Sequence, residues 1–420
     1  MVTTMISWDC FDTLIARKNI HPFSIFHQIA RKIGDPSFVS KRIQAGENTP
    51  TYKEIYDKLP YDPNIELEIE LENCYPIVSN INSVQDNDLI VSDMYLPKEF
   101  IQKILIKCGL NKNINIIVSY NGKQTGNIWK NIDCRQINYH IGDNHHSDYI
   151  VPQKYNIKTK LYSDSKMNEI ESIIFEYDKN LASWIRYVRL QCPYANININ
   201  SKFDRNKNLL WNDQANYNLT ILTLAIKELE KTNIPITFNF RDCIYLQPLY
   251  DTLTQKKSNI IHTSRIALKN SIEKKYIDKT INAFKNTIVV DLHGSGKSFD
   301  MFLNNHNIKD YTLINIVGGS EHQLIKPNII SIFSTNLNNG LNFEKHNFAE
   351  TGTMSVDSNG SAFIDRCEHD IDTIRTQREA VLCGINSVKE FLPIKANRNL
   401  GNRILSKLSL NYTSQYVLYQ

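Results

Sequence analysis

Glycine is scarce in this chain, with 15 in 420 residues, about half the usual ~7%. Glycines close together are therefore less easily compositional noise, and two such places stand out: Gly122 with Gly126, and Gly294 with Gly296. Closely spaced cysteines are missing. Of the eight, the nearest two in sequence are Cys367 and Cys383, so no Cys-x-x-Cys zinc or redox spacing exists and the thiols read as reduced and packed. No stretch approaches the roughly 18 unbroken apolar residues of a membrane span. The amino terminus also meets Asp9 too soon for a signal-peptide core. The expectation is a soluble, cytoplasmic protein with no membrane partner. Charge of one sign is not in excess either. The net charge is +4 and no long basic tract occurs, so there is no strong nucleic-acid signal. With 41% hydrophobic and 22% charged residues, bulk disorder is excluded. At roughly 150 residues per domain, the length implies two or three domains. The oligomeric state is not legible.

What is present is an alternation of strand and helix patterns. Residues 4 to 8 form a short strand pattern that stops at Asp9-Cys10-Phe11-Asp12-Thr13. From about 15 to 80 the pattern is helical and polar, with Phe23, Phe26, Ile29 and Ile33 three or four apart. A buried strand, Leu89-Ile90-Val91, ends in Ser92-Asp93. A helix over about 97–108 stops near Gly109, a strand over 114–118 leads to a Gly122-Lys123 turn, and a strand over 137–141 ends in Gly142-Asp143. Such alternation implies a parallel sheet, where chemistry collects at the carboxyl ends of strands. A helical, Tyr-rich connector over 166–195 follows. The second alternation has a helix over 218–231, a strand over 236–240 ending in Arg241-Asp242, a strand over 259–262, a helix over 269–284, and a strand over 287–290. That last strand opens into Asp291-Leu292-His293-Gly294-Ser295-Gly296-Lys297-Ser298. From about 336 the pattern thins.

Four strand ends thus carry Asp9, Ser92, Lys123, and Asp143 with Asp148. A phosphoryl-transfer site needs a carboxylate nucleophile, a hydroxyl and an ammonium to hold phosphoryl oxygens, and carboxylates for Mg²⁺. Singly, each residue also reads as a helix cap, a loop acceptor or a solvated charge. Together they resemble the haloacid dehalogenase (HAD) superfamily, and within it a predicted-hydrolase branch whose first motif is Phe-Asp-x-Phe-Asp-Thr-Leu. Here that motif is Trp8-Asp9-Cys10-Phe11-Asp12-Thr13-Leu14, with Trp8 replacing Phe. Ile90 to Pro97, Ser119 to Gly126, and His140 to Asn144 with Ser147-Asp148 match the later motifs. The resemblance implies Asp9 as the nucleophile forming an aspartyl-phosphate, and Ser92 and Lys123 as phosphate-binding. It further implies Mg²⁺ on Asp9, Asp143 and the Phe11 backbone carbonyl, with Asp148 holding a metal-bound water or orienting Lys123. One departure matters. The usual general acid lies two residues after the nucleophile, and here that position is Phe11. Asp12 either replaces the acid or only braces the loop. Residues 15–85 sit where such enzymes carry a helical cap, with Arg17, Arg31, Arg42 and Tyr52 as candidate substrate contacts or plain surface.

The loop from Asp291 to Ser298 has the ending of a nucleotide-binding P-loop but lacks its first glycine, whose place is taken by Asp291. It partly resembles the phosphoribosyl-diphosphate loop of type I phosphoribosyltransferases. That resemblance implies Asp291 on ribose hydroxyls, the amides of Gly294, Ser295, Gly296, Lys297 and Ser298 around a phosphate, and Arg241 and Asp242 nearby. An unrelated phosphate site and a purely structural tight turn remain open. His262, Ser264 and Arg265 are candidates for the same cleft.

The expected fold class is α/β. A Rossmann-like parallel-sheet HAD core with an inserted helical cap covers 1–165, and a second α/β domain covers 196–420. The expected function is an HAD-type phosphatase, a Mg²⁺-dependent phosphoric monoester hydrolase. Its substrate is a small phosphorylated metabolite, a sugar phosphate or nucleotide. The second domain binds a phosphorylated ligand or is phosphoribosyltransferase-like. The competing class is a pseudo-enzyme that senses ligand, with Phe11 as the weakening substitution.

Overall fold

Short apolar runs that end in polar residues build two parallel sheets. The computed structural model describes residues 5–49, 51–195, 202–319, 326–367 and 370–415. The boundary expected at 196 lies outside the described residues. The chain divides into two units, one of Met1–Asn168 with Leu190–Asn208 and one of Glu169–Arg189 with Leu209–Gln420.

Among the described residues the first unit contributes β1 (Met5–Trp8), β2 (Ile15–Arg17), β3 (Cys74–Pro76), β4 (Leu89–Asp93), β5 (Asn115–Ser119), β6 (Ile137–Gly142) and β7 (Lys158–Leu161). Five of them form a wholly parallel sheet in the order β5-β4-β1-β6-β7. Ile90, Val91 and Trp8 are buried, as expected of strands covered on both faces. The strand order reverses at β1, so the carboxyl ends of β1 and β6 flank the crevice where such sheets bind ligands. Asp9 and Asp143 are the first residues beyond those two ends.

β2 and β3 pair antiparallel, Ile15 opposite Pro76 and Arg17 opposite Cys74. From this two-stranded neck the chain runs out through helices Ser24–Ile33, Phe38–Gly46, Tyr52–Tyr56 and Asn64–Asn73. The expected spacing holds: Ile25, Phe26, Ile29 and Ala30 face a small core with Phe38 and Ile69. Arg42 is not surface. It is buried and doubly bonded to Glu66 at 2.7 and 2.9 Å, and the hydroxyls of Tyr56 and Tyr95 donate to the same carboxylate at 2.8 and 3.0 Å. Tyr52 donates its hydroxyl to the Pro63 carbonyl. Both are therefore engaged in holding the helical insertion together.

The second unit contributes β8 (Ile236–Asn239), β9 (Asn259–Ile261), β10 (Ile288–His293), β11 (Leu313–Gly319), β12 (Ile329–Thr335) and a hairpin of β13 (Thr351–Val356) and β14 (Ala362–Arg366). The parallel sheet runs β9-β8-β10-β11-β12. The mixed α/β class holds for both units. Several boundaries differ from the sequence expectation. The helix expected from 218 begins at Lys202 and runs through a π segment, Gln214–Leu219, to Leu229. Helices Glu169–Tyr177 and Lys179–Leu190, read as a connector, place Ile170, Ile174, Leu181, Trp184 and Ile185 in the main core of the second unit. The helix expected over 269–284 is two helices, Arg265–Asn270 and Lys274–Asn286. At the break, Ser271 Oγ and Ile272 N both donate to the Gly360 carbonyl at the turn of the β13–β14 hairpin. Past 336, helices Leu337–Lys345, Ile371–Ser387 and Arg398–Gln415 complete the unit. No helix of the described residues is long and apolar enough to cross a membrane.

Candidate functional site

Asp9 leaves β1 with its N–H donated to the Ile141 carbonyl at 2.8 Å, which pins it beside the end of β6. Its carboxylate takes the Lys123 ammonium on one oxygen and the Thr13 hydroxyl on the other at 3.2 Å. Lys123 also reaches Asp148 at 2.6 Å. Ser92 is buried near the end of β4, and Trp8 pairs with Ile90, so Ser92 and Asp9 lie on neighbouring strand ends. The five residues singled out for phosphoryl chemistry thus gather at one edge of the sheet, although 139 positions separate the first from the last.

Asp148 is held from three sides. Besides Lys123, its carboxylate meets His140 Nε2 at 3.1 Å and accepts the Asn144 N–H at 3.0 Å, while His140 Nδ1 meets Ser7 Oγ at 3.0 Å. Of the two roles expected for Asp148, this geometry corresponds to orienting Lys123. Gly142 is required here by close approach, because a Cβ at that position would collide with the Asp148 carboxylate.

Asp93 is a site residue that motif reading passed over. Its carboxylate accepts the Lys123 backbone N–H at 2.9 and 3.0 Å, the Gln124 N–H at 3.1 Å and the Ser119 hydroxyl at 2.6 Å. The available signal was an acid directly after Ser92 and a serine opening the Lys123 turn. That turn is a short helix, Gly122–Thr125.

Asp12 has a left-handed backbone, φ 55°, a conformation most side chains avoid. Its charge is among those raising the Asp143 carboxyl, which places it near the acidic cluster. Phe11 lies under the Arg17 guanidinium, 4.2 Å from its ring centroid, and Arg17 Nε binds Glu70 at 2.6 Å. Arg31, exposed, donates to the His27 carbonyl.

Three carboxylates crowd one ammonium here. Asp9, Asp143 and Asp148 each present an oxygen within 4.8 Å of the others. Burial pushes the Asp9 carboxyl upward, the Lys123 charge pulls it back, and the negative charges of Asp148 and Asp143 add to the rise. Burial, then Asp12 and Asp148, push Asp143 up to about 6. Asp148 goes the other way. Burial opposes its charge, but the His140 hydrogen bond and the Lys123 ammonium hold its carboxyl well below the usual range. An all-oxygen donor set with surplus negative charge suits a hard divalent cation such as Mg²⁺.

In the second unit, Arg241 and Asp242 do come together. Arg241 binds Asp242 through Nε and Nη2 at 2.6 and 3.0 Å, and Nη1 donates to Thr353 Oγ1 at 2.9 Å. Glu344 lies 3.6 Å from Arg241 and 3.4 Å from His293. Asp291 is not in a loop. β10 continues through it to His293, in register with β11, because Val290 and Leu292 are both buried and the ladder persists across the acid. Its carboxylate accepts Asn239 Nδ2 at 3.1 Å, and burial followed by the Asp242 charge pushes it up to about 7. Gly294, Ser295 and Gly296 form the turn into helix Lys297–Asn305, with Ser295 Oγ accepting the Lys297 N–H at 3.4 Å and Ser298 in the first turn. Ser264 is spent as a helix cap, accepting from Ala267 N at 3.1 Å and donating to the Met354 carbonyl. His262 packs against Phe240, with ring centroids 4.7 Å apart. Arg265 acts electrostatically on Glu344.

Neither family models nor curated proteins give a match to this chain.

Proposed function

We propose that the first unit is an HAD-type phosphohydrolase that releases phosphate from a small phosphorylated metabolite through an aspartyl-phosphate. The observation that carries this reading is the convergence of Asp9, Ser92, Lys123, Asp143 and Asp148 at the switch point of one parallel sheet. Lys123 bridges Asp9 and Asp148. In the first step an Asp9 oxygen attacks phosphorus and the bond to the leaving oxygen breaks, with the phosphoryl oxygens held by Lys123 and Ser92. The leaving oxygen takes its proton from Asp12, the substrate or a residue of the helical insertion. Water then attacks the aspartyl-phosphate, giving inorganic phosphate and the free carboxylate. Mg²⁺, held by Asp9, Asp143 and the Phe11 carbonyl, would supply charge neutralisation at the phosphoryl group. The insertion on the β2–β3 neck is read as a cap over the site, and its length suits a small substrate. A ligand-sensing pseudo-enzyme is the competing reading, favoured by Phe11 and disfavoured by retention of the other five site residues. The second unit is read as a module for a small phosphorylated ligand.

A phosphate-release screen of the full chain over sugar phosphates and nucleotides, with and without Mg²⁺, tests this. Metal-dependent release from at least one substrate is expected. Silence across the screen would favour the pseudo-enzyme.

A further inference from the structure

In the second sheet the chain steps from β8 outward to β9 on one side and then across to β10 on the other. The segments after β8 and β10 diverge there and leave a crevice at the carboxyl edge. Arg241 and Asp242 follow β8 into it, and a cavity of about 290 Å³ opens beside them, lined in part by residues of the β13–β14 hairpin. That volume lies at the small end of ligand pockets. Its walls carry Arg241, Asp242, Glu344, Thr353, Asp365 and Arg366, with Phe348 as the apolar element.

The chemistry of these walls narrows the occupant. Arg241 directs three of its nitrogens at Asp242 and Thr353, so its charge is matched within the protein. What the cavity presents in addition is mostly acceptor: the carboxylates of Asp242, Glu344 and Asp365 and the Thr353 hydroxyl, beside the Arg366 guanidinium as a donor and Phe348 as an apolar surface. A divalent metal is disfavoured, because among the described residues the convergent carboxylate set is Asp9, Asp143 and Asp148. A bare phosphate is disfavoured too, since the Gly294–Ser298 turn does not line the cavity, and three carboxylates there outnumber the guanidiniums of Arg241 and Arg366. A small neutral ligand with one apolar face, whose hydroxyls donate to the carboxylates and accept from Arg366, matches these groups. Hydroxyls replace the water that carboxylates lose on burial, and a ring face covers Phe348.

We propose that this cavity binds a monosaccharide-sized polyol through Asp242, Glu344 and Thr353. The proposal keeps the second unit as a small-ligand module, replaces the phosphorylated ligand of that reading with a neutral one, and does not depend on Asp9. It moves recognition from the glycine turn to the crevice.

Ligand-observed saturation-transfer NMR on the full chain tests this, with D-ribose, D-glucose, D-galactose and D-mannose as probes at millimolar concentration. Transfer to at least one sugar is expected, lost in Thr353→Val and in Asp242→Asn. Thr353→Val keeps volume and leaves the Arg241–Asp242 pair intact, so it remains informative if Asp242→Asn folds poorly. No transfer from any of the sugars, or transfer undiminished in both variants, overturns the proposal. So does binding of spermidine or inorganic phosphate, without sugar binding, that the same variants abolish. The sugars carry no phosphoryl group, so a negative result leaves the phosphohydrolase reading standing. Failure of the phosphate-release screen likewise leaves this one standing.

Discussion

The Asp93 carboxylate holds the backbone N–H of Lys123 with both oxygens, at 2.9 and 3.0 Å, and so ties the end of β4 to the turn that carries the site's ammonium. Ser119 and Gln124 complete its coordination. An amide offers only one acceptor oxygen and no charge. Asp93→Asn should therefore lower kcat/KM for phosphate release by about tenfold to a hundredfold, the scale of a charge-assisted hydrogen bond of roughly 1.5–3 kcal/mol. Steady-state kinetics beside a melting curve check this. Unchanged kinetics at any stability would reduce Asp93 to a helix cap.

Asp9 and Asp143 differ in what they are expected to do. Asp9→Asn replaces the proposed nucleophile with an amide and should abolish Mg²⁺-dependent release while the chain still folds. Asp143→Asn keeps the nucleophile but removes an oxygen donor, so the Mg²⁺ concentration for half activity should rise. Wild-type turnover in the first variant would sink the covalent mechanism, and an unchanged metal requirement in the second would move the ligand elsewhere.

The parts of this architecture legible in the sequence are those governed by local pattern. Asp9, Ser92 and Asp143 each follow an apolar run, and a parallel sheet converts such positions into one edge. Asp93 was passed over because its partners lie 26 to 31 residues away. The Arg42–Glu66 pair was hidden for the same reason: an arginine on a polar helix looks solvated until the facing helix supplies its carboxylate. Asp291 marked a strand end because an acid rarely continues a buried strand. Asn239 on the neighbouring strand accommodates it, so the ladder continues. The helices over 169–190 read as a connector because the sequence does not say which unit an amphipathic face covers. Trp184 and Ile185 answer that by packing into the second core.

Asp12 occupies a left-handed position near Asp143, while Phe11 stands where the proposed phosphohydrolase reading expects the general acid. If Asp12 gives the leaving-group proton, Asp12→Asn should slow alkyl phosphates far more than an aryl phosphate, whose leaving group departs without protonation. Equal losses on both substrates would mean that Asp12 only braces the loop. An increase in the Mg²⁺ requirement would instead indicate an effect through Asp143.

The last prediction concerns stability and a histidine outside both sites. His346 is fully buried, with Gln214 Nε2 3.4 Å from its Nδ1, and burial followed by the Lys345 charge pushes its pKa from 6.5 down to about 4. The unfolded chain therefore takes up a proton near pH 6.5, and the folded chain takes it up only near pH 4. The stability linked to the neutral ring is fully present above pH 6.5 and is lost as the pH falls toward 4. The full effect is about 3 kcal/mol over that window. Carboxylates titrate in the same range, so the test is a difference. Urea unfolding of wild type and His346→Gln should give a gap in unfolding free energy that shrinks by about that amount between pH 7 and pH 4. A gap independent of pH would show that the folded ring protonates as readily as the unfolded one.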